Sequence, residues 1–297
     1  MSIATASFYD RSTSLMLRMS SRAETLQTQI ATGKKLLTAA DDPGGYQRLA
    51  MLKRESVAAE TTTANLALAQ GLLAQSDSLL GSVDDRLQRV SELTVRARSG
   101  ILSQGDREAV ATELDTIRDE LLSLANSRDS RGAPIFGGSS TGDAFTQAAD
   151  GTVSYTGDGA PVPIPIGEGR SVIASENGEH IFMPAGGTDI FATLAAVSAS
   201  IRSGDAAGTA GHNDDILAAL DHVAAARASV GAREMRVELE TQRRKTEETD
   251  REIAMSSIED VDVTKAVTEL QKTLTILQAT QSSFTRLSQL TLFDQLR

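Results

Sequence analysis

The 297-residue chain has no cysteine and no tryptophan, and aromatic side chains make up only 3% of it. Without cysteine there can be no disulfide framework, no thiol nucleophile and no thiolate metal site. With so few aromatics the core must be built from Leu, Ile, Val, Met and Ala, which suits packed helices better than a sandwich or barrel. Proline and glycine are nearly absent from long stretches: five of the six Pro and 15 of the 23 Gly lie between residues 132 and 215. No stretch reaches the ~18 consecutive apolar residues of a membrane span. Met1 to Ser14 has neither the basic start nor the apolar core of a cleavable secretory signal. The expectation is a soluble chain with no membrane insertion, which leaves a cell, if it does, by a route needing no cleavable signal peptide.

Positive charge is also in short supply. The net charge is -11, and residues 132–215 hold ten Asp and Glu against two Arg, contributing -8. Nucleic-acid binding needs a basic patch, so an acidic middle argues against that partner. A solvated surface accounts for the acidity.

What the chain has in abundance is apolar residues at helical spacing. Near the C-terminus they fall at Val263, Val267, Leu270, Leu274 and Leu277, then at Phe284, Leu287 and Leu290, with no Gly or Pro between. This predicts one helix from about Ser257 to Arg297, roughly 60 Å long at ~1.5 Å per residue. A helix of that length needs partners along an elongated body or in another chain. Near the N-terminus Leu15, Met19, Leu26 and Ile30 form a second stripe over residues 12–31, ending at Gly33-Lys34-Lys35, where glycine suits a left-handed cap. Then Asp41-Asp42-Pro43-Gly44-Gly45 signals a turn and a restart, with Asp41 or Asp42 capping a helix that begins at Pro43.

From Ala64 to Ala97 the register is a strict heptad. Leu66, Leu73, Leu80, Leu87 and Thr94 form one set, and Ala69, Ser76, Val83, Val90 and Ala97 the other. Gly71 and Gly81 lower the helicity of this run, so packing must hold it. A break at Ser99-Gly100 leads to a helix opened by Asp106, carrying Val110, Leu114, Ile117, Leu121 and Leu124. Between Arg131 and His212 short β-prone pieces appear at Thr152–Tyr155, Val162–Ile166, Ser171–Ala174 and His180–Phe182, each bounded by turn residues. Asp189–Ile201 reads as a helix and Asp205 to Gly211 as a flexible run. Helix returns with Ile216, Val223, Val230 and Val237, followed by a charged, solvated face from Glu238 to Glu252.

The fold class expected is therefore mainly α with a β-rich insertion. The N- and C-terminal helices form an elongated multi-layer α-helical coiled-coil bundle around a small β-rich middle domain. The divisions are residues 1–42 (N-terminal assembly helix and spoke), 43–131 and 213–256 (two halves of the bundle), 132–212 (outer insertion) and 257–297 (C-terminal assembly helix). Leu66, Leu73, Leu80, Val83, Leu87 and Val90 are the expected bundle seam, and Asp41, Asp42 and Pro43 the turn and cap.

Chemistry is sparse. His180, His212 and His222 are scattered, with no metal-ligand spacing. The Gly137 to Ala144 stretch has P-loop-like glycines but Asp143 where a lysine belongs, and a carboxylate there repels phosphate. Adjacent Asp41 and Asp42 do not converge as an acid/base pair, and capping explains them. No enzyme activity, cofactor or metal is expected.

The run Gln29-Ile30-Ala31-Thr32-Gly33-Lys34-Lys35 with Ala40-Asp41-Asp42-Pro43-Gly44-Gly45 resembles the N-terminal signature of the bacterial flagellin superfamily. So do Ile258 to Ala266 and Gln278-Ala279-Thr280-Gln281 at the other end. Pro43, the Phe136-Gly137-Gly138 step and the final Leu290 to Leu296 are most similar to the type 3 hook-associated branch, at the hook–filament junction. The resemblance implies an extracellular structural subunit of the flagellum, exported through the flagellar type III apparatus. Its implied partners are copies of itself in a ring or layer, a neighbouring hook-associated protein, flagellin, and an export chaperone at the C-terminal helix. On this reading Leu15, Met19, Leu26, Ile30, Val263, Val267, Leu270, Leu274, Leu277, Phe284 and Leu287 form the assembly interface, ordering when neighbours bury them. A filament-forming flagellin, and a non-flagellar structural or ligand-sensing coiled-coil protein, are the alternatives the residues leave open.

Overall fold

The structure, a computed structural model, describes residues 2–98, 102–159, 161–167 and 169–294; of residues 2–6 and 287–294 only the backbone is described. The expected break at Ser99-Gly100 lies outside the described residues, as do the side chains of Leu287 and Leu290. The helices are α1 (Ser2–Thr32), α2 (Pro43–Ala97), α3 (Gln104–Ala125), α4 (Gly178–Phe182), α5 (Ile190–Ser203), α6 (Ala206–Gly211), α7 (Asn213–Glu259) and α8 (Val263–Asp294). The strands are β1 (Phe145–Gln147), β2 (Val153–Tyr155), β3 (Pro163–Gly167) and β4 (Arg170–Ile173). The chain gathers into two compact units: residues up to Ala58 with those from Thr246 onward, and Ala59–Lys245. Helices α2 and α7 contribute residues to both.

In the second unit the heptad positions of α2 do what their spacing requires. Leu66, Leu73, Leu80, Val83, Leu87 and Val90 are at most 1% exposed. They meet Val110, Leu114, Ile117 and Leu121 of α3 and Ile216, Val223, Val230 and Val237 of α7 in one continuous core. Two polar members of the seam, Ser76 and Thr94, are fully buried and donate their hydroxyls to the Leu72 and Val90 carbonyls of their own helix. Helix α3 opens on Ser103, whose Oγ accepts from the Asp106 amide while the Asp106 carboxylate accepts from Ser103. The capping residue is thus Ser103, and Asp106 is the reciprocal member of a capping box.

The middle segment is not a β layer set apart from the helices. It holds two antiparallel hairpins, β1–β2 and β3–β4, and three helices. Phe136, Phe145, Phe182 and Phe191 are all buried, with neighbouring ring centroids 5.4–5.8 Å apart, and they share the core of α2, α3 and α7. Ser198 of α5 donates to the Ala111 carbonyl of α3, so those two helices pack closely through small residues. Two local expectations are overturned here, and one strand is added. His180–Phe182 belongs to α4, because the Asn177 side chain accepts from the Glu179 amide and starts a helical turn. The Asp205 to Gly211 run is helical for the same reason, its cap being Asp205. Strand β1 has no β-branched signal apart from Thr146; pairing with β2 creates it.

The β3–β4 hairpin is fastened to α7 by an ion pair. Arg170 reaches Glu240 at 2.8 Å, and Glu240 is only 7% exposed, although it lies within the stretch read as a solvated face. That face is therefore solvated only in part.

Leu80→Ala is expected to destabilise the chain by about 2–5 kcal/mol, the cost of a cavity in a full core. Val95→Ala, on the 56% exposed side of the same helix, should change stability by no more than about 0.5 kcal/mol. Urea unfolding of both variants against the parent chain measures the contrast.

Candidate assembly interface

In the first unit α1 and α8 pair along their length. Their seam is made of small or compact residues: Ala23 and Leu26 from α1, Ala266 and Thr273 from α8, all at most 9% exposed. Alanines and a threonine let two backbones approach closely. The Thr273 hydroxyl is satisfied by the Glu269 carbonyl, so burying it leaves nothing unpaired. Towards the far end Phe284 meets Tyr9 edge-on, with centroids 5.2 Å apart. Arg22 and Glu269 bridge the outside of the pair at 2.9 Å, but both are about half exposed, so the contribution is ~0–1 kcal/mol.

The predicted interface residues divide into two sets. Leu26 is buried in its own chain, while Leu15, Met19, Ile30, Leu270, Leu277 and Phe284 are half-buried on the same pairing face. Val263, Val267 and Leu274 are 48%, 36% and 43% exposed and flank the seam on α8. Within the chain, Ala266 and Thr273 of α8 are buried and Leu270 and Leu277 half-buried, while Val267 and Leu274 stay exposed. The apolar stripe was wide enough for two faces, and only packing decided which one turned inward. Leu287 lies outside the described side chains.

The ends of the pair are tied at a single point. Helix α1 stops at Gly33, which has φ +73. The Gly33 carbonyl accepts from the Val261 amide at 2.9 Å, and the Lys35 amide donates to the Glu259 carbonyl at 2.7 Å. This two-residue antiparallel bridge overturns the expectation of an unbroken helix from Ser257. Helix α7 ends at Glu259, Asp260 pairs with Lys34 in an isolated antiparallel bridge, and α8 restarts with Asp262 accepting from the Lys265 amide at 3.0 Å. Around the tie Glu259 pairs with Lys34 and, at 3.4 Å, with Lys53 of α2, and Lys35 Nζ donates to the Ser257 carbonyl at 2.7 Å.

The turn between α1 and α2 is held by its two carboxylates separately. Asp41 accepts from the Leu37 and Thr38 amides and the Thr38 hydroxyl, and the Thr38 amide bond foremost holds its pKa below the ordinary value. Asp42 caps α2, accepting from the Gly45 amide at 3.0 Å, with Pro43 as the first helical residue. Sequence reasoning missed Glu259, Lys53 and Val261 because their partners are more than two hundred residues away in the chain. It missed Ala23, Ala266 and Thr273 because they are not large apolar residues.

Comparison with known proteins fits this arrangement at both ends of the chain. The bacterial flagellin N-terminal helical region matches residues 3–141, and the bacterial flagellin C-terminal helical region matches residues 214–295. The chain belongs to the bacterial flagellin family. A relative from Escherichia coli, flagellar hook-associated protein 3, is 28% identical over 90% of both chains. The protein of the same name from Salmonella typhimurium is 32% identical over 61% of this chain and 57% of its own. In fold the chain resembles FlgL from Xanthomonas campestris, with a TM-score of 0.62, 20% identity, and coverage of 69% of this chain and 99% of that one. The family's two helical regions thus contain α1 and α8, the paired helices of the first unit. Among the described residues no helix is long and apolar enough to cross a membrane.

The tie carries a pH dependence. The hydrogen bond from Lys34, with the charge of Lys53, holds the Glu259 pKa below its ordinary value of 4.5. A depressed carboxylate pKa adds stability that is present above the unfolded value and is lost as pH falls through the folded one. Both lysines are about half exposed, so the contribution is at most about 1 kcal/mol. Glu259→Gln should lower the melting temperature at pH 7 and flatten its decline between neutral pH and pH values below 4.5, as read by circular dichroism.

Proposed function

We propose that the chain is a structural subunit of the bacterial flagellum that joins the hook-associated region to the flagellin filament by helix-on-helix self-assembly. The observation that carries this reading is the divided α8 surface: one face closes on α1 within the chain, and Val263, Val267 and Leu274 stay exposed beside it. An apolar ribbon of that kind on a charged chain is an unfinished interface. Flagellar hook-associated protein 3 of Escherichia coli, 28% identical over 90% of the chain, supports the junction position over the filament. Residues 1–42 and 257–297 are the assembly segments, 43–131 and 213–256 the body, and 132–212 the outward insertion.

The partners are further copies in a ring or layer, a hook-associated neighbour on one side and flagellin on the other. Burying one leucine is worth about 1.5–3 kcal/mol, so a few exposed residues repeated around a ring hold a layer together. The same α8 ribbon is the proposed site for an export chaperone before assembly, and export needs no cleavable signal. A role in chemistry is not part of this reading.

Leu274→Asp is expected to leave the free chain folded and to abolish incorporation, read as lost motility in a strain lacking the parent chain. Restored motility with this variant would remove the α8 ribbon from the interface. Chaperone capture should likewise need residues 257–297: a chain ending at Ser256 that is retained as well as the full chain would exclude that site. At high concentration the chain alone should form only short layers, whereas long filaments would identify a flagellin.

A further inference from the structure

Two outward faces in the second unit are exposed and apolar. The first is on α7. Met235 and Leu239 are 76% and 77% exposed, the highest of the exposed large hydrophobic residues described. They follow Ala225, Ala228 and Ala232, which are also exposed, on the side of the helix opposite the buried Val223, Val230 and Val237. The second is on α2. Ala64, Ala67, Gly71 and Ala74 are exposed on the side opposite Leu66, Ala69 and Leu73, and no residue from Thr61 to Ser76 is charged. An exposed helix face without charge for sixteen residues is unusual in water and typical of the centre of an interface.

Gly71 adds an independent observation. It sits in the middle of α2 with an ordinary helical backbone, and a Cβ added there would touch nothing. Glycine in a helix interior is unfavourable relative to alanine, and no packing within the chain requires it. A second backbone or side chain approaching from outside would.

The two faces stand at the same level. Arg227 of α7 bonds Asp77 of α2 at 3.2 Å. Asn65 of α2 donates to the Pro165 carbonyl of the hairpin whose Arg170 holds Glu240. Residues 65–77 of α2 therefore run antiparallel beside 227–240 of α7, which puts Leu239 level with Ala64 and Ala67, and Met235 level with Gly71. We propose that Met235 and Leu239 of one copy insert into the shallow hollow formed by Ala64, Ala67 and Gly71 of the next. A protruding apolar pair and a small-residue hollow on different faces make a head-to-tail contact, not a two-fold one. Because they share a level, successive copies associate side by side, as a ring or layer requires. This rests on the self-assembly reading above and names the second surface it uses.

The cysteine-free chain allows a direct test. Leu239→Cys and Ala67→Cys are made as separate single variants and co-expressed in a strain lacking the parent chain, and assembled flagella are oxidised. The expected result is a disulfide-linked dimer only when both variants are present. Motility with no mixed dimer overturns the proposed contact and leaves the flagellar reading standing. A dimer from either variant alone overturns its head-to-tail sense. Absence of the unmodified chain from isolated flagella overturns the flagellar reading itself, and the contact with it. Gly71→Leu supplies a second arm. The free chain should melt no lower than the parent, because the site is open, yet incorporation should drop about tenfold. Normal incorporation would show that the hollow is not filled.

Discussion

The tie between Gly33–Lys35 and Glu259–Val261 is the constraint on which the first unit depends. Two backbone hydrogen bonds and the Glu259 ion pairs fix where α1 ends and where α7 gives way to α8. Once those ends coincide, the register of α1 on α8 follows, and with it the choice of Ala266 and Thr273 for the inside. A one-residue slip would rotate α8 by about 100° and bring a different set of side chains to α1. The exposed position of Val263, Val267 and Leu274 is thus a consequence of the tie as much as of hydrophobicity.

The second unit is organised differently. Its core is built on heptad leucines and valines, is almost fully buried, and extends without a break into a cluster of four phenylalanines from the middle segment. That continuity explains why the middle segment can afford such short strands: each hairpin is anchored by buried residues such as Phe145, Ile166 and Val172 and by the Arg170–Glu240 pair. A free two-stranded hairpin is marginal in water. The outer surface of the unit keeps exposed apolar residues, Met235 and Leu239 the most exposed of the large ones described.

Much of this was legible in the residues. The a/d seam of α2 was read position by position, because a period of seven has one structural solution and Leu66, Leu73 and Leu80 leave no ambiguity about the inner face. The Asp41-Asp42-Pro43 turn was legible for a local reason: a carboxylate, a fixed φ and two glycines encode a helix restart within five residues. The short helices α4 and α6 were not, since a single Asn or Asp cap outweighs a weak β-prone or flexible composition. The α7–α8 break was invisible because Asp260-Val261-Asp262 contains no Gly or Pro, and the bonds that open the helix there come from Gly33 and Lys35.

By itself the sequence determined the helical class, the interior face of the bundle, the Asp41-Asp42-Pro43 turn and the family, because each is set by residues close together in the chain or by a fixed period. Tertiary structure alone decided which side of α8 meets α1, that the middle segment shares the helices' core, and that Glu240 is buried. Those outcomes depend on contacts between residues a hundred or more positions apart, where local pattern carries no information about which of two equally apolar faces turns inward.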